Sequence, residues 1–247
     1  MSRIVVRASL AFLVVAAPAA RAGTEASGNQ GPWALDMRVV SAAQIPVIGE
    51  VRSTTITRGL LEGDLSAEGG LQRYTVCDVA LEGQSGRTRS TLPDAFVEAL
   101  PVRTVSVRLD GDRYSADLGV MPLGYVPATS GGALPIHAED ASVVDFEGDG
   151  APGFTVLVDM PLFPTVSIHL VQVTASVLEG DRVGPDRVTG RPIVSRLEQR
   201  VLGASVGAFA RSPRVHPVEG AGSFELRRLP EGSTCEHVLG LTDGVRS

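Results

Sequence analysis

Oxygen-bearing side chains recur at alternate positions in one short acidic segment of the chain. Asp145, Glu147 and Asp149 occupy positions 1, 3 and 5 of this segment, and Gly150 at position 6 permits a sharp turn. A loop of this kind directs several oxygens at one hard cation such as Ca²⁺, and the backbone carbonyl of Ala151 is a further candidate ligand. The spacing therefore predicts a calcium site, against the alternative of a glycine-rich surface turn whose acids are only solvated.

The segment resembles the D-x-D/N-G-D-G-x-x-D loops of calcium-binding repeat proteins, including the FG-GAP and dockerin-like classes. The resemblance covers this loop alone, and it implies that Asp145, Glu147 and Asp149 are the metal ligands. Two positions depart from the pattern, because Glu147 is longer than the usual Asp or Asn and Gly153 stands where those repeats often place a carboxylate. Position 12 is Val156 rather than a bidentate glutamate, which excludes an EF-hand.

A second pattern, G-A-S-V-G centred on Ser205, matches the G-x-S-x-G motif of serine hydrolases. In α/β-hydrolases the motif lies at a strand-to-helix elbow and is followed along the chain by an acid and then by a histidine. Here Asp243 is the only later aspartate and it follows both downstream histidines, so a hydrolase is the least favoured interpretation. No H-x-H or H-E-x-x-H pattern supports a zinc site at any of the four histidines, His137, His169, His216 and His237.

Residues 1–22 have the layout of a secretory signal peptide. Arg3 and Arg7 precede an apolar run over 8–17, and Ala20-Arg21-Ala22 forms an A-x-A cleavage pattern. The run is shorter than the roughly 20 residues that span a bilayer, and no later segment is long and apolar enough to do so. We therefore expect cleavage after Ala22 and a soluble mature protein exported to the periplasm or the extracellular space, with an uncleaved N-terminal anchor as the alternative.

Charge and cysteine content bear on the partners of the exported chain. The full chain has a net charge of −6, and removal of the three arginines of the signal peptide leaves −9. Such an acidic protein is a poor candidate for binding nucleic acid or an anionic membrane surface. The two cysteines, Cys77 and Cys235, lie in no C-x-x-C pair, and in an oxidising compartment we expect them to form a disulfide rather than remain free thiols.

The elements that carry these candidate residues are predicted to be mostly β-strands. Residues 23–31 are small and polar and predict a flexible lead-in, and a single domain is expected over 32–242. One short helix is predicted over 91–101, Asp110-Gly111 predicts a hairpin turn, and further turns are expected at 69–70 and 179–181. Strands are predicted over 33–42, 51–60, 71–81, 102–109, 113–118, 154–158, 166–177, 193–202, 224–229 and 234–239.

The sequence predicts eight to ten strands joined mostly by short turns, and the lack of alternating strands and helices argues against a parallel α/β fold. We expect an all-β fold, a single antiparallel β-barrel of lipocalin-like architecture, with a β-sandwich as the alternative. A closed barrel of about eight strands can hold one small ligand. The sequence therefore predicts an exported module that binds a small apolar ligand or serves as a structural cell-envelope protein. The alternatives are a calcium-stabilised surface-interaction protein and, last, a serine hydrolase.

Overall fold

The computed structural model describes residues 31–45, 49–63, 65, 69–83, 88–129, 132–160 and 164–243. The predicted signal peptide and the predicted lead-in up to residue 30 lie outside this part of the chain. The described elements, in chain order, are β1 (Trp33–Ile45), β2 (Gly49–Glu62), β3 (Gly70–Gly83), β4 (Arg89–Thr91), α1 (Asp94–Ala99), β5 (Arg103–Asp110), β6 (Arg113–Leu123), β7 (Phe154–Asp159), β8 (Val166–Gly184), β9 (Arg187–Ala204), a 3₁₀ turn (Gly207–Phe209), β10 (Arg214–Pro217), β11 (Ser223–Arg228) and α2 (Cys235–Asp243).

All eleven strands belong to one sheet, and its hydrogen bonds form a ring. The order around the ring is β8, β6, β5, β3, β2, β1, β11 and β9, and β9 pairs again with β8. Every strand pairing is antiparallel. The prediction of an all-β antiparallel fold is confirmed, and a single sheet that closes on itself, here called the closed sheet, stands in place of the two sheets of a sandwich.

Three short strands extend the ring at one end. β7 pairs with the first part of β8 and β4 pairs with β7, whereas β6 pairs with the rest of β8. β10 pairs with β1 beyond the point where β11 ends. Because β5 pairs with β3 only over 70–74, the remainder of β3 contacts α1 and β4 instead. The wall of the closed sheet is therefore completed by a helix on this side.

Side chains alternate between the inside and the outside of the closed sheet, as the pleat requires. At the end that carries the β5–β6 and β8–β9 hairpins, the inward side chains meet in a packed core. This packed end includes Trp33, Leu61, Tyr114, Leu178 and Leu226, none of which is exposed to solvent. The rings of Tyr114 and Phe224 lie 5.9 Å apart. One end of the closed sheet is thus filled by its own side chains.

The disulfide predicted between Cys77 and Cys235 is present, with a Cα–Cα distance of 5.3 Å. It joins the start of α2 to the outer face of β3, and α2 also contacts β2. Val238 of α2 packs there against Ala34 and Leu60. The helix therefore covers an apolar patch on the outside of the sheet and is held to it by a covalent bond.

Two local predictions are wrong. Residues 235–239 form the start of α2 rather than a strand, and Thr234, just before the helix, donates its backbone N–H to His237 Nδ1 at 3.1 Å. Residues 179–181 lie inside β8, and the turn falls at 185–186. The glycine at 180 serves close packing rather than a turn, since a Cβ there would lie 2.2 Å from the carbonyl oxygen of Thr189. The predicted helix over 91–101 contains α1, as expected.

Candidate ligand-binding cavity

Beyond the packed end, the closed sheet encloses a cavity of about 950 Å³. This volume lies in the range of small-molecule sites, roughly 300–1,000 Å³. Met37, Tyr74 and Leu118 belong both to the packed core and to the lining, so they form the floor of the cavity. At the other end the lining includes exposed residues, here called the rim, among them Glu82, Gly83, Gly207, Ala208 and Arg211.

One side of the lining is hydrocarbon, and it is called here the apolar wall. It comes from the second half of β3, from β6 and β7, and from α1, and it includes Val79, Leu81, Phe96, Leu123, Phe154 and Val156. Phe96 is the only buried residue of α1, and its ring lies 5.3 Å from that of Phe154. The short helix therefore seals the gap between β3 and β7 with an aromatic side chain.

The other side of the lining, called here the polar wall, carries neutral hydrogen-bonding groups among its apolar residues. On β1 and β2 these groups are Ser41, Ser53, Thr55 and Thr57. The hydroxyl oxygens of Ser41 and Ser53 lie 3.1 Å apart, close enough for one hydrogen bond. On β8 and β9 the groups are Gln172, Thr174, Ser176 and Gln199.

Gln172 and Gln199 face one another directly across the β8–β9 ladder, and both side chains line the cavity. Both are half-buried. Among the residues that the structure describes, none accepts from or donates to either side-chain amide. A primary amide offers two donors and an acceptor with two lone pairs. The pair therefore presents uncommitted hydrogen-bonding capacity to whatever occupies the cavity.

The interior carries no charge in the described part of the lining, where the only ionised side chains are Glu82 and Arg211 at the rim. Tyr74 on the floor is buried, and this burial raises the pKa of its phenol far above neutrality. The phenol is therefore protonated at any physiological pH. The site is apolar on one side, neutral and polar on the other, and charged only where it meets solvent.

The predicted calcium ligands lie in the turn before β7, and their oxygens bond to the turn itself. The carboxylate of Asp145 accepts hydrogen bonds from the backbone N–H groups of Gly148, Asp149 and Gly150, at 2.8, 3.0 and 2.9 Å. Asp149 Oδ1 accepts from the N–H of Ala151 at 2.8 Å. These bonds explain the alternating acids as groups that fold the turn.

The turn is also joined to the sheet. Glu147 accepts a hydrogen bond from the N–H of Thr155, and the Thr155 hydroxyl donates to Asp149 Oδ2 at 2.6 Å and lies 3.1 Å from His169 Nδ1. The Thr155 hydroxyl bond lowers the pKa of the Asp149 carboxyl, whereas burial raises that of Glu147. Within the described residues, no group of three His, Cys, Asp or Glu side chains could hold a metal ion. The calcium site stays a prediction.

Gly153, which closes this turn, is a position where we predict a large effect on stability. Its φ is +85°, and a Cβ there would lie 2.1 Å from the carbonyl oxygen of Leu170. We expect Gly153→Ala to lower the free energy of unfolding by about 3 kcal/mol in urea denaturation, from strain and displaced backbone together. Gly148→Ala is the control, since φ is +76° there too but a Cβ would meet open space. Equal losses in both variants would contradict the close approach.

Ser205, at the centre of the G-x-S-x-G motif, lies just after β9. Its N–H donates to the carbonyl of Ser167 at 2.9 Å, and its hydroxyl accepts from the N–H of Ser167 at 3.0 Å. Among the described residues no histidine hydrogen-bonds to this hydroxyl, whose one partner there is the N–H of Ser167. The serine extends the pairing of β8 and β9, and the element that follows it is the 3₁₀ turn Gly207–Phe209 rather than the α-helix of a hydrolase elbow.

The fold and the cavity together define a class: an antiparallel β-sheet closed on itself, filled at one end and hollow at the other. No family model, curated protein or solved structure matches the chain. No helix in the described ranges is long and apolar enough to cross a membrane. Any function must therefore be argued from the geometry of the chain itself.

Sequence reasoning did not identify the residues of the cavity. The site residues that the sequence predicts are the metal ligands of the turn, including Ala151, and the two cysteines, and neither set lines the cavity. A signal was present in β8, where Gln172, Thr174 and Ser176 recur with a period of two between buried apolar residues. Polar residues on the inward face of a long central strand indicate an interior that is not fully packed.

Proposed function

We propose that this protein binds one small, largely apolar ligand inside the closed sheet and serves as an exported binding or carrier module. The observation that carries the proposal is the cavity of about 950 Å³. The packed end shows that inward side chains of this sheet can fill the space between its walls. The same sheet leaves the other end hollow, as a binding protein requires and a purely structural scaffold does not.

The energetics of the lining support an occupant. Side chains such as Val79, Leu81 and Ile168 are half-buried, because part of their surface faces the cavity rather than a neighbour. Apolar surface of this kind gains about 25 cal/mol per Å² when it is removed from water. A ligand that fills the cavity would therefore stabilise the folded state, in proportion to the apolar surface it covers.

The disulfide fits the exported setting that the N-terminal sequence predicts, since such bonds persist in oxidising compartments. No comparable observation favours the other interpretations. The acids of the turn bond to its own backbone, and Ser205 has no histidine partner among the described residues. We therefore rank ligand binding above the calcium-stabilised and hydrolase alternatives.

A fluorescence titration with N-phenyl-1-naphthylamine tests the proposal. This neutral apolar probe is weakly fluorescent in water and brightens when it enters an apolar site. We expect saturable binding of one probe per protein, with a dissociation constant on the order of 10⁻⁶ M, typical of a good apolar pocket for a small ligand. A signal that rises linearly without saturating would contradict the proposal and favour a structural role.

A further inference from the structure

We propose that the ligand is an uncharged amphiphile, a hydrocarbon chain bearing an amide, ester or hydroxyl group. That polar group would bind to Gln172 and Gln199 while the chain lies against the apolar wall. This inference rests on the proposed function and deepens it, because it names the chemical class that the cavity selects.

Polar side chains are distributed unequally around the ring of strands. One half of the closed sheet is formed, in ring order, by β2, β1, β11, β9 and β8, and β10 pairs with β1 beside β11. The strands of this half that matter for the lining are β1, β2, β8 and β9. Eight of the ten hydroxyl- or amide-bearing side chains of the described lining lie on these four strands, and the other two are Tyr74 on the floor and Ser90 on β4. The apolar wall of β3, β6, β7 and α1 occupies the other half. A ligand that satisfies both halves has one hydrocarbon side and one hydrogen-bonding part.

The two glutamines lie away from the rim of the cavity. Gln172 is separated from the open end by Ile168 and Leu170 on the same inward face of β8. The amide pair therefore lies within the cavity and not at its rim. Both amides are half-buried and have no partner among the described residues, so a ligand carbonyl or hydroxyl at this depth can form hydrogen bonds with them.

The two glutamines have no charged neighbour in the described lining of the cavity. In the described lining, no cation accompanies Gln172 and Gln199, and Arg211 lies at the rim together with Glu82, which is of opposite charge. A carboxylate or ammonium at the depth of the glutamines would lose its hydration without gaining a counter-ion. The lining therefore disfavours fatty acid anions and cationic lipids as deeply bound ligands.

Matched probes with a twelve-carbon chain test the class of ligand. Dodecanamide, dodecanoate at pH 8 and dodecyltrimethylammonium are titrated separately against the protein with N-phenyl-1-naphthylamine bound. We expect dodecanamide to displace the probe at concentrations at least tenfold lower than either charged compound. Burying a charged group without a counter-ion costs much more free energy than burying an amide that is hydrogen-bonded. Equal displacement by all three, or tighter binding of either ion, would overturn the inference.

The double variant Gln172→Leu/Gln199→Leu tests the residues. Leucine keeps similar volume but removes both amides, so we expect dodecanamide to bind about tenfold more weakly while N-phenyl-1-naphthylamine binds within about twofold of wild type. Unchanged affinity for dodecanamide would overturn the assignment of the two glutamines. The single variant Gln199→Leu provides the same readout, with about a threefold loss, if the double variant does not fold.

Different results would contradict the proposed function and the proposed class of ligand. If wild-type protein does not bind N-phenyl-1-naphthylamine, the proposed function itself is contradicted. If the probe binds but the three twelve-carbon compounds compete equally, the cavity is a ligand site and only the proposed class of ligand is wrong.

Discussion

The double variant Thr55→Trp/Thr174→Trp is expected to bind N-phenyl-1-naphthylamine at least tenfold more weakly than wild type. Thr55 lies on β2 and Thr174 on β8, and both line the cavity. These strands are four places apart in a ring of eight, so the two side chains approach from opposite sides. Two indoles would occupy the space that the ligand needs. A tenfold weaker affinity corresponds to a loss of about 1.4 kcal/mol of binding free energy, which even a partial loss of contact between probe and lining costs.

The matched control places the same two side chains on the outside of the sheet. Thr54 and Ala175 precede and follow the two threonines on their strands, and their side chains point to the opposite face. Thr54→Trp/Ala175→Trp should keep wild-type affinity for the probe. The account of the cavity would be contradicted if the inward pair bound the probe as well as this outward pair does.

Loss of the disulfide is the second large effect. The bond between Cys77 and Cys235 spans 158 residues of sequence. Closing a loop of this length stabilises the folded state by up to about 5 kcal/mol in the chain-entropy model. We expect Cys77→Ser/Cys235→Ser to lose 2 to 5 kcal/mol of unfolding free energy by that principle, which corresponds to a melting temperature lower by about 10 °C for a domain of this size. Differential scanning fluorimetry measures the shift.

The chain itself supplies the control for this experiment, because it has two cysteines and both are in the bond. A reducing agent should lower the melting temperature of wild type and leave that of the double variant unchanged. Probe binding at 25 °C should persist in the variant, since α2 lies on the outer face of the sheet. A variant as stable as oxidised wild type would show that the bond contributes nothing to the fold.

Most strands of the closed sheet could be predicted from local patterns. Val105 and Val107 alternate with exposed residues along β5, and the predicted hairpin turn follows, with Gly111 and Asp112 as its two residues. The residues 193–202, whose charged and apolar positions alternate, lie within β9 as expected. These features depend on side chains within a few residues of each other, which is the range over which a sequence pattern is informative.

The rest depends on contacts between distant residues. Cys77 is the extra residue of a β-bulge, since Arg58 pairs with Asp78 and Gly59 with Val76. A bulge reverses the inward and outward positions after it, so the alternation along β3 cannot be extended across the cysteine. The prediction of a strand over 234–239 is wrong for a similar reason. Val238 is apolar because it packs against the outer face of the sheet, a contact that its neighbours in sequence do not reveal.

The hollow interior is the feature of the fold that local sequence patterns predict least well. Whether Phe96 and Phe154 meet other side chains or leave space depends on the number of strands in the ring and on their stagger, neither of which is written in any one segment. The acids of the turn have a local role that their spacing alone does not reveal. Their spacing suits a cation, but the backbone N–H groups of the same turn bond to those oxygens.

A crystal structure of the protein with methyl 12-bromododecanoate tests the central claim most directly, because bromine gives an anomalous signal that locates the ligand. The account predicts one bromine peak inside the closed sheet beside the apolar wall, with the ester oxygens near Gln172 and Gln199. An interior filled by the protein's own side chains, or bromine bound only on the outer surface, would contradict the claim that this cavity is a binding site.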